Sequence, residues 1–467
     1  MVREAAVIGG GPGGYGAAIG LAQAGWAVRL IEAGAVGGTC LHRGCIPTKT
    51  MLETARLVRG LARAAEFGVQ LPPGEVRVDF GALRQRQSQV VARLVEGLRQ
   101  LLAANGVEVL AGRGRLAAGG SGVPRVVVDG AQRLELAPDA VVLAPGSRPA
   151  PPPIPGLDRP GVVDSDGLLA DSVQPARLVV IGAGVVGCEL ACAYAALGTE
   201  VTLLEALPQV LPGADADVAR RLEAGLRRQG IALQTGVRVQ EIGADLVVRG
   251  EGRQGAFAVA TDRVLVATGR RAATDGLGLE EVGGQLRGGT IVVDQELRCV
   301  GLSGVWALGD AIGAPGLAHA AFLQAERLVA SIAGRPLPPP SPVPHPVYTL
   351  PEVAWVGLDE TAARAAGMTP TVARTPHAAL GRAVIAGEVD GFSKVVAVDG
   401  RVVGVHLIGP HATELIGTAT LAVAQRLPVA ELAAISLPHP TLSEGLGEAA
   451  ALLLGLPRHL APARGGR

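Results

Sequence analysis

Two cysteines, Cys40 and Cys45, lie five residues apart in a segment that also contains a glycine, a proline and a lysine. Five residues correspond to about 140° around an ideal helix, so a bond between the two sulfur atoms requires a local distortion. Gly44 and Pro47 could permit that distortion. Because close thiols can form and exchange disulfides, this spacing favours a redox-active pair.

Two other interpretations of the pair remain open. Zinc binding would need a second pair of ligands with suitable spacing nearby, and His42 alone is insufficient, so no metal is expected. The pair could also be two inert thiols. Cys188 and Cys192 lie four residues apart on a predicted helix that needs small residues, and we expect them, like Cys299, to be structural.

Lysine is scarce in this chain. Lys49 and Lys394 are the only lysines, and all other basic residues apart from histidine are arginines. Biased genome composition explains the arginine excess. The two lysines then mark positions where arginine would not serve, because an ammonium group is compact and its pKa is easily shifted.

A strand, a glycine-rich loop, a small-residue helix and a second strand ending in glutamate occur twice in the chain. The first copy runs from Ala5 to Glu32 and the second from Leu178 to Glu205. In both copies the glutamate follows the first glycine of the loop by 23 residues. One such loop is weak evidence by itself, whereas two in this context strongly indicate dinucleotide binding. The alternative is a pair of structural units without ligand.

Each glycine of the repeated loop has its own physical role. The first permits a tight turn, the second lets the backbone approach a pyrophosphate, and the third lets helix and strand pack closely. The helix N-terminus offers free N–H groups to the phosphates. The closing glutamate accepts hydrogen bonds from ribose hydroxyls and repels a 2′-phosphate, so Glu205 favours NAD over NADP.

Composition excludes several classes of protein. Of the 467 residues, 48% are hydrophobic and 18% are charged, which excludes disorder as the dominant state. The formal net charge is zero, so neither a nucleic acid nor an anionic membrane is indicated as a partner. The uncharged stretch from Ala5 to Val28 is interrupted by glycines and Pro12, so we expect no secretion signal and a cytoplasmic protein.

Further motifs follow the second glycine loop. They are Ala267-Thr268-Gly269-Arg270, Gly309-Asp310 with Leu317-Ala318-His319, the segment from Tyr348 to Gly357, Gly404-Val405-His406, and the segment from His439 to Glu444. With both loops and the cysteine segment, they make the chain resemble the class I pyridine nucleotide–disulfide oxidoreductases from Ala5 to about Ala450. Within that family, the resemblance is greatest to the members that oxidise dihydrolipoamide with NAD.

The resemblance implies an α/β fold with two Rossmann-like nucleotide-binding domains, for FAD and NAD, and a C-terminal α+β dimerisation domain. It implies a discontinuous FAD-binding domain over residues 1–150 and 276–345, an NAD-binding domain over 151–275, and an interface domain over 346–467 with a frayed tail from about 457. Proline-rich segments at 149–155 and 336–346 independently suggest boundaries near 150 and 340.

The resemblance also implies roles for single residues. Cys45 would face the flavin and Cys40 would exchange with the substrate. Lys49 and Glu189 would form an ion pair beside the flavin, near the nicotinamide. The implied acid–base is His439, oriented by Glu444 and reaching the disulfide of the other subunit. The implied FAD-binding residues are Gly9, Gly11, Gly14, Glu32, Lys49, Asp310 and Ala318, those for NAD are Gly182, Gly184, Gly187 and Glu205, and Gly146 and Gly269 are further cofactor-binding positions.

The implied reaction converts dihydrolipoamide and NAD⁺ to lipoamide and NADH through a Cys40–Cys45 disulfide and FAD. The implied partners are a second copy of the chain, dihydrolipoamide that is free or carried by another protein's lipoyl domain, and the acyltransferase core of a 2-oxo acid dehydrogenase complex. Another disulfide reductase of the family, or a regulator that binds FAD and NAD without turnover, is the alternative. Four departures from the usual motifs, His42, Pro145, Leu350 and Leu437, remove no reacting group.

Overall fold

The structure is a computed structural model that describes residues 2–72, 76–119, 122–313 and 315–461. The described residues build three five-stranded sheets, and four smaller sheets lie beside them. Two of the five-stranded sheets are parallel and the third is antiparallel. The parallel sheets have helices packed against them, as is usual for strands that are buried on both faces.

The first part of the chain supplies most of the first parallel sheet and the segment with the two cysteines. Its strands are β1 (Glu4–Ile8), β2 (Ala27–Glu32), β3 (Glu108–Ala111), β4 (Arg113–Ala117), β5 (Arg125–Asp129), β6 (Arg133–Leu136), β7 (Ala140–Leu143) and β8 (Ser147–Pro149). Its helices are α1 (Pro12–Gln23), α2 (Gly38–Arg43), α3 (Cys45–Ala62) and α4 (Phe80–Ala104). The side chain of Asp79 accepts a hydrogen bond from Ala82 N at 2.9 Å, which caps the N-terminus of α4.

The second part of the chain builds the second parallel sheet, with the order β12-β11-β10-β16-β9. Its strands are β9 (Val162–Val163), β10 (Arg177–Ile181), β11 (Glu200–Glu205), β12 (Ala232–Thr235), β13 (Arg238–Ile242), β14 (Val247–Gly252), β15 (Gly255–Ala260), β16 (Arg263–Val266) and β17 (Arg270–Ala272). Its helices are α5 (Ser165–Ala170), α6 (Val185–Ala196) and α7 (Ala216–Arg228). Strand β17 pairs antiparallel with β8 and so connects this part to the first.

The chain then returns to the first sheet. It forms β18 (Leu286–Arg287), β19 (Thr290–Ile291), β20 (Val305–Ala307) and α8 (Ala318–Ile332). Strand β20 pairs with β7, which gives the order β20-β7-β1-β2-β3. The first sheet is therefore built from two separate stretches of the chain.

The last part of the chain forms the antiparallel sheet, with the order β21-β22-β25-β24-β23. Its strands are β21 (His345–Val347), β22 (Val353–Gly357), β23 (Thr371–Pro376), β24 (Phe392–Val398) and β25 (Arg401–Ile408). Its helices are α9 (Glu360–Ala365), α10 (Gly381–Ile385), α11 (Ala412–Ala424), α12 (Val429–Ala434) and α13 (Glu444–Leu453). The two parallel sheets, followed by a C-terminal unit of an antiparallel sheet and helices, confirm the predicted α/β fold class.

The frayed tail that we expect from about residue 457 lies partly outside the described residues, which end at 461. Within the described part, the backbone amides of Arg458 and His459 donate to Oε1 of the buried Glu448 at 2.9 and 2.8 Å. No helix among the described residues is long and apolar enough to cross a membrane.

Candidate active site

The two glycine loops have nearly the same backbone geometry. Gly9 and Gly182 follow β1 and β10 with φ angles of 103° and 104°, a region that favours glycine. A Cβ atom at Gly14 would overlap the carbonyl oxygen of Gly9, and one at Gly187 would overlap that of Gly182. These contacts explain why both loops require the first and third glycines, and they let α1 and α6 start close to their strands.

The second glycine of each loop leaves space in front of the helix N-terminus. Among the described residues, a Cβ at Gly184 would have no neighbour within 4 Å, and one at Gly11 would meet only the Cα of Gly38, at 3.9 Å. The N-terminal N–H groups of α1 and α6 have no intrahelical acceptors, so each loop offers donors beside an open space. This geometry fits a pyrophosphate in both loops.

The glutamates that close the repeated units are held in matching ways. Glu32 Oε2 and Oε1 accept hydrogen bonds from Gly10 N at 2.6 Å and Gly34 N at 2.8 Å. Glu205 accepts from Ala183 N at 2.6 Å and Leu207 N at 2.8 Å. Backbone amides therefore fix each carboxylate at the end of its strand, beside the loop, which is where a ribose would bind.

The other predicted cofactor-binding positions follow strands of the two parallel sheets or begin a helix beside them. Strands β1, β7 and β20 are parallel neighbours, so the segments after them, which contain Gly9, Gly146 and Asp310, leave the sheet side by side. The hydroxyl of Ser147 donates to Asp310, and Arg270 Nε donates to Ser147 Oγ at 2.8 Å. Ala318 is the first residue of α8, and Gly269 follows β16 in the second sheet.

The cysteine pair lies where one helix breaks into two. Cys40 belongs to α2 and Cys45 is the first residue of α3, and between them Gly44 has a φ of −136° and a ψ of −106°. This break is the local distortion that the five-residue spacing requires. Both residues are partly buried free thiols.

The two thiols have opposite pKa shifts. A hydrogen bond from Cys40 and the positive charge of Lys49 lower the pKa of Cys45 to about 7, although burial opposes this. The hydrogen bond to Cys45, together with burial, raises the pKa of Cys40. Cys45 is therefore the thiol of the pair that ionises near neutral pH. Burial raises the pKa of Tyr15, on α1, to about 12, and the charges of Cys40 and Cys45 add to this shift.

Lys49 connects the helix of Cys45 to the helix of the second glycine loop. Its Nζ lies 2.7 Å from Oε2 of Glu189 on α6, and Oε1 of Glu189 accepts a hydrogen bond from Tyr348 N at 2.9 Å. The ammonium also lies 4.6 Å from the centroid of the Tyr348 ring. Burial alone would lower the pKa of Lys49, but the charge and hydrogen bond of Glu189 raise it overall, so the ammonium stays charged beside the thiols.

His439 and Glu444 form a pair of their own near the start of α13. His439 Nδ1 lies 2.9 Å from Glu444 Oε1, and Glu444 Oε2 accepts from Thr441 N at 2.8 Å. The His439 side chain is 70% exposed. Although burial opposes it, the bonds from Thr441 and His439 lower the pKa of Glu444, which therefore stays ionised and orients an accessible imidazole.

The remaining cysteines belong to hydrophobic cores of the protein. Cys188, Cys192 and Cys299 are buried, and burial raises the pKa of each thiol. Among the described residues, no group of three or more His, Cys, Asp and Glu side chains could hold a metal ion.

The sequence interpretation gave no role to Tyr15 or to the Ser147–Arg270 contact that holds Asp310. Tyr15, Tyr194 and Tyr348 are the three tyrosines of the chain. The charges of Cys40 and Cys45 act on Tyr15, the Tyr348 ring lies beside Lys49, and Tyr194 is buried on α6. The scarcity of tyrosine could have marked these positions, as the scarcity of lysine marked Lys49.

Comparisons with known proteins agree with this geometry. Residues 3–325 match the family described as "Pyridine nucleotide-disulphide oxidoreductase", and residues 343–450 match its dimerisation domain. A dihydrolipoyl dehydrogenase of Bacillus subtilis is 36% identical over 97% of this chain and 99% of its own length. One of Thermus scotoductus is 40% identical over 96% of both chains.

Solved structures give the same result. LpdA from Mycobacterium tuberculosis superposes with a TM-score of 0.88 at 30% identity, over 97% of this chain and all of that chain. RclA from Escherichia coli, an HOCl-induced flavoprotein disulfide reductase solved as a Cu(II) complex, has a TM-score of 0.84 at 29% identity, over 97% of this chain and 99% of its own. The chain therefore belongs to the pyridine nucleotide-disulphide oxidoreductase family and is an oxidoreductase with FAD and NAD as its cofactors.

Proposed function

We propose that the protein is a dihydrolipoyl dehydrogenase, which converts dihydrolipoamide and NAD⁺ to lipoamide, NADH and a proton. The observation that carries the proposal is the Cys45 thiol. It lies next to Cys40 and Lys49, and both lower its pKa, which is about 7. A dithiol substrate needs a protein disulfide that can accept its electrons and a cysteine that is stable as a thiolate. The full-length similarity to several dihydrolipoyl dehydrogenases supports this choice within the family.

For FAD, we propose binding by the first sheet. The donors of the first loop would hold the pyrophosphate and Glu32 the adenosine ribose. The other proposed contacts are Asp310 with the ribityl chain and Ala318, at the N-terminus of α8, with the flavin. Because Gly146 has no side chain, the protein backbone can approach FAD closely at that position. The full set is Gly9, Gly11, Gly14, Glu32, Lys49, Gly146, Asp310 and Ala318.

For NAD, we propose binding by the second sheet. The donors of the second loop would hold the pyrophosphate, and the buried Glu205 would accept from the ribose hydroxyls. A carboxylate at that position repels a 2′-phosphate, which supports NAD over NADP. The set is Gly182, Gly184, Gly187, Glu205 and Gly269.

The thiol steps follow from the two pKa shifts. A substrate thiolate attacks Cys40 Sγ in the oxidised enzyme, the Cys40–Cys45 bond breaks, and Cys45 leaves as a thiolate. Cys45 is the better leaving group because its pKa is the lower of the two. The second substrate thiol then attacks the mixed disulfide, which releases lipoamide and leaves Cys40 reduced. Bound FAD would take up the two electrons from the dithiol and pass a hydride to NAD⁺.

We propose that Lys49 stabilises negative charge at this step. Its ammonium is close enough to Cys45 to lower the pKa of that thiol. Glu189 and the Tyr348 ring hold it in place. A fixed positive charge in a desolvated site contributes more to catalysis than the same charge in water.

We propose that His439 removes the protons from the substrate thiols, with Glu444 as its orienting partner. Unperturbed thiols have a pKa of about 8.5, so near neutral pH a base increases the fraction of thiolate. The exposed imidazole is available to a second copy of the chain, and the dimerisation domain supports a homodimer in which His439 serves the partner's cysteines.

We also infer that the dithiol is free dihydrolipoamide or a lipoyl group carried by another protein, with the acyltransferase core of a 2-oxo acid dehydrogenase complex as a candidate partner. The relatives named dihydrolipoyl dehydrogenase support the substrate. A reducing compartment such as the cytoplasm suits a chain whose described cysteines are free thiols.

A steady-state assay tests the proposal against the other reductases of the family. Dihydrolipoamide with NAD⁺ should give the highest turnover, well above NADP⁺ with the same dithiol and above NADH or NADPH with glutathione disulfide or Hg(II). A preference for glutathione disulfide or Hg(II) would contradict the proposal.

A second experiment tests the role of the cysteines. Anaerobic two-electron reduction should give a long-wavelength absorbance band from a thiolate beside the oxidised flavin. The band should be absent in Cys45→Ser, and a wild-type enzyme without it would contradict the proposal. A protein that binds both nucleotides without turnover would fail both experiments.

A further inference from the structure

A buried glutamine on α4 contacts the first turn of the helix that begins with Cys45. Gln87 is 4% exposed, and its Nε2 donates to the carbonyl oxygen of Pro47 at 2.8 Å. Pro47 lies two residues after Cys45 and two before Lys49. The hydrogen bond from Gln87 therefore holds the helical turn that carries Cys45 and Lys49, the two residues of the proposed thiol chemistry.

The other end of the same amide is held by an arginine. Arg84 Nη1 donates to Gln87 Oε1 at 2.7 Å, so both ends of the buried amide have partners and its orientation is defined. Arg84 also donates to the carbonyl oxygens of Asp171 at 2.8 Å and Leu168 at 3.1 Å, and to the hydroxyl of Tyr194 at 3.0 Å. Its guanidinium lies 4.5 Å from the centroid of the Phe80 ring.

These contacts connect α3 to α6 through α4. Tyr194 and Glu189 lie on the same helix, α6, whose N-terminus faces the second glycine loop. Helix α3 is thus bound to α6 directly by Lys49–Glu189 and indirectly by the chain Pro47–Gln87–Arg84–Tyr194. Two attachments at different points restrict rotation of the first turn of α3 more than a single ion pair can.

We propose that Gln87, held by Arg84, is a positioning residue that fixes the Cys45–Lys49 turn relative to the helix of the NAD loop. The inference rests on the proposed roles of Cys45 and Lys49. The break at Gly44 leaves Cys45 as the first residue of its helix, so the hydrogen-bonded turns of α2 do not continue through it. A misplacement of about 1 Å can cost on the order of 100-fold in rate, so a buried contact two residues away is important.

The test compares two electron-transfer rates in the holoenzyme. The first is anaerobic reduction of bound FAD by dihydrolipoamide, which needs the cysteines. The second is NADH-driven reduction of ferricyanide, which passes through FAD without them. Gln87→Met keeps the length of the side chain and removes both hydrogen bonds. The matched control is Gln100→Met on the same helix, because Gln100 is exposed and, among the described residues, its side chain bonds only to Glu96 one turn away.

In Gln87→Met the dihydrolipoamide rate should fall by about tenfold or more, while the ferricyanide rate and the FAD content stay within about twofold of wild type. Gln100→Met should change neither rate. If Gln87→Met does not fold, Gln87→Glu takes its place, since it keeps the contact with Arg84 but its carboxylate cannot donate to Pro47.

The possible outcomes separate the two proposals. If wild type reduces its FAD with dihydrolipoamide and neither rate falls in the Gln87 variant, only the positioning role is wrong. Two rates that fall together indicate a general structural role and also overturn it. A wild type that is not reduced by dihydrolipoamide overturns the proposed function, and the positioning role with it.

Discussion

The two lysines of the chain have different surroundings, although both bind carboxylates. The Lys49 side chain is 31% exposed and binds one carboxylate, Glu189, next to the cysteine pair. The Lys394 side chain is 3% exposed and lies 2.6 Å from Asp215 and 3.0 Å from Asp217. The Lys49 side chain is partly exposed and its charge lowers the pKa of Cys45, whereas the Lys394 side chain is enclosed by its partners. Lysine therefore belongs to the candidate active site in one region and to a buried structural ion pair in the other.

The ion pairs of Lys394 join the antiparallel sheet to the N-terminus of α7. Lys394 lies on β24, and Asp215 caps α7 by accepting hydrogen bonds from Asp217 N at 2.9 Å and Val218 N at 3.4 Å. Burial alone would lower the pKa of Lys394, but the hydrogen bonds and charges of the two aspartates raise it overall. The ammonium thus stays charged, and its removal would leave a buried aspartate without a counter-ion.

The largest expected effect is that of Lys394→Met. Removal of one partner from a buried ion pair destabilises a protein by about 3–5 kcal/mol, because the other charge stays buried. Urea unfolding should show a loss of this size, while the folded fraction keeps its dihydrolipoamide rate. Adding Asp215→Asn to the variant should restore part of the stability. A stable Lys394→Met with a slow rate would reverse the roles that we assign to the two lysines.

An intermediate effect is expected when each lysine is replaced by arginine. Arginine keeps the charge but is larger and planar. Lys394→Arg should cost about 1–3 kcal/mol of stability through overpacking and leave the rate unchanged. Lys49→Arg should keep FAD bound and stability nearly unchanged, but slow flavin reduction by about tenfold or more, because the charge no longer lies where it stabilises the thiolate. Stopped-flow reduction and urea unfolding of both variants measure the two effects. An unaffected rate in Lys49→Arg would contradict our explanation for lysine at that position.

The difference between the two lysines also shows what the sequence can predict. Lys49 could be recognised because it lies four residues after Cys45, in a segment with its own chemical pattern. The partners of Lys394 could not be recognised from the sequence, since Asp215 is 179 positions away and no local motif connects the two residues. Both glycine loops were predictable because turn geometry and helix packing restrict residue type locally.

The residues that hold the site in place were harder to predict than the reacting groups. Gln87 lies among polar residues on α4, where a glutamine normally indicates a solvent-exposed face. Its burial results from packing against α3, which the local pattern does not show. Leu350, which departs from the family motif, is buried, and its carbonyl oxygen accepts from Arg59 at 3.2 Å. The backbone makes that contact, so the side-chain type did not reveal it.

The smallest expected effect is a shift in the pKa of Cys45, which depends on Lys49 and not on Lys394. In reduced enzyme the Cys45 thiol should ionise near pH 7, as a lowered pKa requires, and absorbance of the thiolate at 240 nm against pH measures it. The charge of Lys49 lowers this pKa more than that of Glu189 raises it. Removing both in Lys49→Met/Glu189→Gln should therefore raise the midpoint, by about one unit or less, equivalent to roughly 1.4 kcal/mol at most.

Two controls, and the choice of a double variant, make the titration specific to the Cys45–Lys49 pair. Cys45→Ser should lose the transition near pH 7, because burial raises the pKa of each of the four thiols that remain, Cys40, Cys188, Cys192 and Cys299. The double variant avoids leaving Glu189, which is 3% exposed, as an unpaired buried charge. Lys394→Met should keep the wild-type midpoint, because Lys394 is not among the groups that shift the pKa of Cys45. A midpoint that moves equally in both lysine variants would mean that the thiol responds to overall charge or stability, and the distinction between the two lysines would no longer hold.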